Sequence, residues 1–239
     1  AVAEDPGPQA KPQIYLRRIG QLNAAPVAGT EGGQCPFLSP DARWTGFWEG
    51  GKLRKVLVSG GVPAALCDVA RPFGTDWGPD DEIVFSSGWD LGLSRISGQG
   101  GKIEVLTVPD KNRKEYGHRL PRFLPDGRSV LFTVVGHGHV LQPRLALLDL
   151  GTGKWRVVME DAADGRYLRT GHIVFMREGT LLAVAFDLGR LEVRGQPMPV
   201  VANIVQTLHL ASRADNTGAG QYCVSDSGSL AFVPGEVVS

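Results

Sequence analysis

The middle of the chain holds polar and aromatic residues whose types suit the binding of an anion. Arginine presents a planar fork of N–H donors that matches a carboxylate, and tyrosine and histidine supply further donors. Several of these residues precede or begin predicted inner strands, so we expect them at the mouth of a central channel. The alternative is a buried polar network that braces neighbouring units of the fold. The residues are Tyr116, His118, Arg119, Tyr167 and Arg169.

Trp89 is the tryptophan that we expect to contact a ligand, because it lies in a predicted loop over residues 87–90. Trp44 and Trp77 flank tight turns, which favours packing between units. The basic run Lys111-Asn112-Arg113-Lys114 is interpreted as solvated surface, and contact with an acidic partner is the alternative.

Motifs for catalysis and metal binding are weak. His137 and His139 could share one face of a strand and hold a metal, but the flanking glycines indicate a loop and no nearby Asp, Glu or Cys completes a ligand set. Ser225, Ser227 and Ser229 lie in no GxSxG motif. The predicted inner strands also carry almost none of the carboxylates that glycoside chemistry needs. We therefore predict no catalytic residues, no metal site and no cofactor.

Composition limits the classes of partner. The chain has 25 Lys and Arg residues against 25 Asp and Glu residues, and this zero net charge argues against nucleic-acid binding. The three cysteines form no CxxC motif, so a zinc or redox site is not expected. No apolar run approaches the roughly 18 residues of a membrane span. Residues 1–13 contain three prolines and no apolar core, which predicts a disordered leader and no signal peptide.

A turn motif between two apolar strands repeats along the chain. Proline presets the first corner of a type I turn, and aspartate accepts backbone N–H groups just beyond it. Pro40 and Pro79 lie 39 residues apart, and Pro79 and Pro125 lie 46 apart, which is the period of a four-stranded propeller blade. The aspartates that we expect to form turns are Asp41, Asp80, Asp126 and, in a degenerate copy, Asp226.

These repeats predict an all-β protein, a β-propeller occupying residues 14–235 as a single domain. We expect four complete four-stranded blades and a fifth, composite blade that closes the ring. Segments 14–19 and 25–28 would form its outer half, and segments 221–224 and 229–233 its inner half. Such closure removes exposed sheet edges. The competing interpretation is a segment of a larger propeller, completed by further chain or by a second copy.

The turns Ser39-Pro40-Asp41, Gly78-Pro79-Asp80 and Leu124-Pro125-Asp126-Gly127 resemble those of WD-repeat-like propellers of the TolB type. Together with Leu53-Arg54-Lys55-Val56 and the run at 180–187, their order is most similar to propeller regions that follow some bacterial eukaryotic-type Ser/Thr protein kinase domains. The resemblance implies an extracytoplasmic location and a role as a sensor or protein-binding platform. The chain itself carries no kinase signature.

Three hypotheses on function follow. The first is a non-enzymatic binding or sensor propeller that presents its loops and central channel to a protein, a peptide or a small ligand. The second is a glycan-active enzyme on a five-bladed propeller. The third is a fragment of a larger propeller that has no independent function. We expect neither a nucleic-acid partner nor membrane insertion of this segment.

Overall fold

The computed structural model describes residues 2–4, 11–18, 20–136, 143–207, 217–225 and 228–235. Its regular structure in these ranges is almost entirely antiparallel β-sheet, with two single-turn 3₁₀ helices at Pro79–Asp81 and Lys111–Arg113. None of the helices in the described part of the chain is long and apolar enough to span a membrane.

A small sheet lies at each end of the described chain. The N-terminal sheet contains β1 (Val2–Glu4), β2 (Gln13–Leu16) and β3 (Ala25–Pro26). Residues 2–4 belong to the segment that is predicted to be a disordered leader, and here the backbone of β1 pairs with β2. A three-residue strand is too short to leave a periodic signal in the sequence.

Four complete four-stranded sheets lie between these ends, and each follows the chain order from its first strand to its last. Blades 1 and 2 are formed by β4 (Gln34–Leu38), β5 (Trp44–Glu49), β6 (Lys52–Leu57), β7 (Ala64–Asp68), then β8 (Thr75–Trp77), β9 (Glu82–Ser86), β10 (Leu93–Ser97), β11 (Glu104–Val105). Blades 3 and 4 are formed by β12 (Glu115–Phe123), β13 (Ser129–Gly136), β14 (Arg144–Asp149), β15 (Trp155–Met159), then β16 (Ala163–Leu168), β17 (His172–Arg177), β18 (Thr180–Asp187), β19 (Glu192–Val201).

The C-terminal sheet pairs β20 (Tyr222–Val224) with β21 (Leu230–Phe232). The all-β propeller architecture that the repeats predict is confirmed. Within the described residues no ladder joins the C-terminal sheet to the N-terminal sheet. Closure of the ring by a composite blade therefore stays a prediction.

Apolar clusters fill the spaces between successive blades. Phe37 of blade 1 contacts Trp77 of blade 2 with ring centroids 6.0 Å apart, and Trp44 packs against the same cluster. Lys55 is buried and places its ammonium 4.6 Å from the Trp44 ring centroid. Because each sheet buries its faces against its neighbours, removal of one blade would expose the cores on both sides.

The predicted turns differ in how their aspartates act. Asp41 accepts a hydrogen bond from the Arg43 N–H at 3.0 Å, and Asp126 accepts from the Arg128 N–H at 3.1 Å. In blade 2 the following residue, Asp81, binds the indole N–H of Trp77 at 3.0 Å, while Asp80 supplies a left-handed corner with φ of 59°. Asp226 lies outside the described residues.

A left-handed bend lies at the same place in each blade, within the first strand of blades 1, 3 and 4 and just before the first strand of blade 2. Cys35, Gly74, Leu120 and Asp164 occupy this position, with φ of 52°, 114°, 54° and 49°. In β4, β12 and β16 the ladder register shifts across the bend, as it does in a β-bulge. The bends let neighbouring first strands approach closely: the Leu120 N–H donates to the carbonyl of Phe73 at 2.9 Å.

Candidate functional site

Trp89, Tyr116 and Arg119, which sequence analysis proposed as ligand contacts, come together at one end of β12. The Trp89 and Tyr116 rings meet edge to face with centroids 6.1 Å apart. The Arg119 Nη2 donates a hydrogen bond to the Trp89 carbonyl at 2.7 Å. A Cβ on Gly117 would lie 2.4 Å from that same carbonyl oxygen, so glycine is what lets the Trp89 loop approach the strand. The indole, 41% exposed, is therefore held on a rigid support.

Arg119 is part of that support and is not available to a ligand. Its side chain is fully buried, and its guanidinium carbon lies 4.7 Å from the Phe73 ring centroid. Burial lowers the pKa of Arg119 to about 10, although the nearby Tyr116 and Asp90 act in the opposite direction. The guanidinium is thus charged at neutral pH and fixes the loop from beneath.

The expectation that His118 lines the channel mouth is wrong. Strand β12 begins at Glu115, so His118 and Arg119 are successive strand residues whose side chains leave opposite faces. His118 is fully buried between blades 2 and 3, with Nδ1 2.7 Å from the Thr107 hydroxyl and Nε2 3.5 Å from a carboxylate oxygen of Glu115. This arrangement is the bracing network that sequence analysis kept as the alternative.

Tyr167 and Arg169 do not join the cluster either. The Tyr167 ring packs 6.1 Å from that of Phe186, within the core between blades 3 and 4. Arg169 is exposed just beyond the end of β16, whereas Tyr116 lies near the start of β12. Since first strands of neighbouring propeller blades run in the same direction, these residues belong to opposite faces of the propeller.

A cleft of about 570 Å³ opens beside the Trp89–Tyr116 pair. Lys111 and Lys114 are exposed on its rim. Glu115 does not neutralise them at the surface, because it is fully buried and accepts a hydrogen bond from the Asp110 N–H at 2.8 Å. The described residues that line the cleft are Asp90, Lys111, Lys114, Glu115 and Tyr116.

An apolar groove of about 560 Å³ adjoins this cleft between blades 1 and 2. Leu91, Val105 and Val108 line it with exposures of 49%, 64% and 70%. Asp90 and Lys111 line both the groove and the cleft, so the two form one continuous surface. We name this surface the loop-face groove.

In the described part of the chain, no group of three or more His, Cys, Asp or Glu side chains could hold a metal ion. His137 and His139 lie outside the described residues.

No family model matches the chain, and no curated protein matches it. Solved structures do. TolB from Acinetobacter baumannii is 17% identical, with a TM-score of 0.59 over 80% of this chain and 49% of that one. A putative TolB from Agrobacterium tumefaciens is 14% identical, with a TM-score of 0.57 over 74% of this chain and 68% of that one. An oligogalacturonate lyase in complex with manganese is 11% identical, with a TM-score of 0.57 over 95% of this chain and 81% of that one.

These similarities establish a β-propeller fold, which the chain shares with the TolB structures. The chain spans about half the length of the Acinetobacter protein. The similar structures include an enzyme, the lyase, as well as TolB, so the fold by itself assigns no chemistry.

Proposed function

We propose that this chain is a non-enzymatic binding propeller that holds an extended peptide segment of a protein partner in the loop-face groove. The observation that carries the proposal is the continuity of an exposed apolar groove with a cleft bordered by an aromatic pair and two lysines. Contiguous exposed apolar surface with a polar rim is typical of protein interaction sites.

The groove defines the chemistry of the segment. Apolar side chains of the peptide would cover Leu91, Val105 and Val108, and each one buried contributes about 1.5–3 kcal/mol before the costs of ordering. An acidic residue would lie against Lys111 and Lys114. Exposed ion pairs of this kind add only about 0.2–1 kcal/mol, so the lysines mainly speed association and set orientation.

The rim is built before the ligand arrives. Trp89 is fixed by the buried Arg119 and by the close approach at Gly117, so little side-chain entropy remains to be lost on binding. A protein partner and an extracytoplasmic location agree with the TolB-type fold and with the resemblance to propellers attached to bacterial Ser/Thr kinases. We propose both for this chain.

The test is a screen of peptides that combine apolar and acidic residues, with affinities measured by calorimetry. We expect Trp89→Ala to weaken the binding of a selected peptide about tenfold or more, because the indole is a large aromatic contact that is already ordered in the free protein. Lys111→Glu should weaken it less and reduce its dependence on salt. The matched controls are two exposed residues that do not line the loop-face groove. Leu22→Ala removes an apolar side chain before blade 1, and Lys154→Glu reverses a charge in the β14–β15 hairpin.

Peptides that bind equally well to Trp89→Ala and to the wild type would refute the groove as the site. Turnover of a glycoside or uronide panel by the wild-type chain would instead support the enzyme alternative.

A further inference from the structure

Two arginines occupy equivalent positions on neighbouring first strands, away from the loop-face groove. Arg122 of β12 and Arg166 of β16 each stand two residues after the left-handed bend, at Leu120 and Asp164. Their side chains are 30% and 18% exposed, so solvent reaches both. A repeated bend therefore presents the same side chain from two adjacent blades.

Arg122 is anchored through one terminal nitrogen. Its Nη1 contacts Asp76 at 3.3 Å and the Thr75 carbonyl at 3.4 Å. The other carboxylate oxygen of Asp76 accepts the Phe123 N–H at 2.8 Å. Each oxygen of Asp76 thus has its own donor, one on the backbone and one on the guanidinium.

Arg166 of the neighbouring blade 4 is also anchored through one terminal nitrogen. Its Nη2 lies 3.2 Å from a carboxylate oxygen of Asp164, and the same oxygen accepts the Gly220 N–H at 3.1 Å. The guanidinium carbon lies 4.0 Å from the Tyr222 ring centroid, and the Tyr222 hydroxyl donates to the Asp164 carbonyl. Stacking and ion pairing together fix the plane of Arg166.

Both arginines keep an unused donor. The Nε atoms of Arg122 and Arg166 are buried and have no hydrogen-bond partner among the described residues. An unsatisfied buried donor is destabilising, and more so when it belongs to a charged group, so two of them at equivalent positions need an explanation. Nε together with one terminal nitrogen forms the fork that binds a carboxylate or phosphate through two parallel hydrogen bonds.

We propose that Arg122 and Arg166 form a binding site for an oxyanion, a carboxylate or phosphate group, at the meeting point of β12, β16 and the C-terminal sheet. Tyr222 links the two: its phenol lies under Arg166 and also within the electrostatic reach of Arg122. The ligand would supply acceptors to the two Nε–H groups. The site is separate from the loop-face groove and goes beyond peptide binding.

The experiment observes arginine side chains directly. The full chain is labelled with ¹⁵N, and the Nε–H signals are recorded by NMR during titration with inorganic phosphate and, separately, with succinate, at constant ionic strength. Signals are assigned with Arg122→Lys and Arg166→Lys, whose folding is checked by circular dichroism. Arg128→Lys is the matched control, because that arginine is 65% exposed and paired with Asp149 at the surface.

We expect the Arg122 and Arg166 signals to shift together along one saturating curve for at least one of the two anions. Each Lys variant should weaken that binding about tenfold or more, and Arg128→Lys should leave it unchanged. The anion that saturates identifies the class of oxyanion. Absence of saturable shifts with both anions, uniform shifts of all arginines, or a shift of only one of the pair would each overturn the site. The titration contains no peptide, so its failure is distinct from failure of the loop-face groove.

Discussion

The stability of this protein should fall on mild acidification because of His118. The ring is fully buried, which favours the neutral form, and the Thr107 hydroxyl beside Nδ1 already accepts the Leu93 N–H at 2.8 Å, so we expect it to donate its own proton to Nδ1. The remaining ring proton is then on Nε2, toward Glu115. Protonation would place a second ring proton against the Thr107 hydroxyl.

The size of the effect follows from the change in pKa. Burial lowers the pKa of His118 from the ordinary 6.5 to about 4, although Glu115 acts in the opposite direction. Between these two pH values, the His118 side chain therefore binds a proton in the unfolded chain but not in the folded chain. The contribution to stability is complete above pH 6.5 and is lost as the pH falls toward 4. It amounts to about 1.4 kcal/mol per pH unit and about 3 kcal/mol in all.

Urea unfolding, followed by circular dichroism at several pH values, measures this slope. His118→Gln cannot titrate, so its free energy of unfolding should change less with pH than that of the wild type between pH 6.5 and 4. Carboxylates that titrate in both chains cancel in the difference. Equal slopes in wild type and variant would refute the assignment of a neutral buried imidazole.

Three further predictions concern the blades. Asp164→Ala should lower the free energy of unfolding by about 3–5 kcal/mol, because it leaves Arg166 without its carboxylate partner. Gly92→Ala should lower it by about 1–3 kcal/mol, because the new Cβ would lie 1.8 Å from the carbonyl oxygen of Thr107. Burial raises the pKa of Cys67 to about 11, so native Cys67 should react with iodoacetamide on the order of 100-fold more slowly than an ordinary thiol, as measured by mass spectrometry.

Each of these three predictions has a control, either a second variant or a second cysteine of the same protein. Asp164→Asn keeps a side-chain acceptor and a residue type that tolerates the left-handed bend but removes the charge, so a loss much smaller than that of the alanine variant would contradict the ion-pair argument. Gly189→Ala has no contact nearer than 3.4 Å and should be nearly neutral. Cys223 is exposed, and equal labelling of Cys223 and Cys67 in the folded protein would contradict the effect of burial.

The blades could be predicted from sequence because their signals are local. A proline–aspartate corner and the alternation around it lie within about ten residues, and β5, β9 and β13 follow such corners as expected. Blade 4 lacks the motif and was still predicted, because the apolar runs that form β17 and β18 flank a short turn at Glu178-Gly179.

The sites were harder to predict because they depend on register. The prediction placed the start of β12 at Arg119, so His118 and Arg119 were expected to share a pocket. The strand begins at Glu115, and alternation sends the two side chains apart. The role of Arg122 was missed because it depends on a left-handed bend at Leu120, a residue type that gives no hint of positive φ.

That bend has a consequence for how the fold tolerates substitution. Its four copies carry a cysteine, a glycine, a leucine and an aspartate, and φ is positive in all of them. Positive φ is uncommon outside glycine, so the path of the blade and not one residue type sets the backbone there. A substitution at this position can therefore change the side chain that the blade presents while the bend is kept.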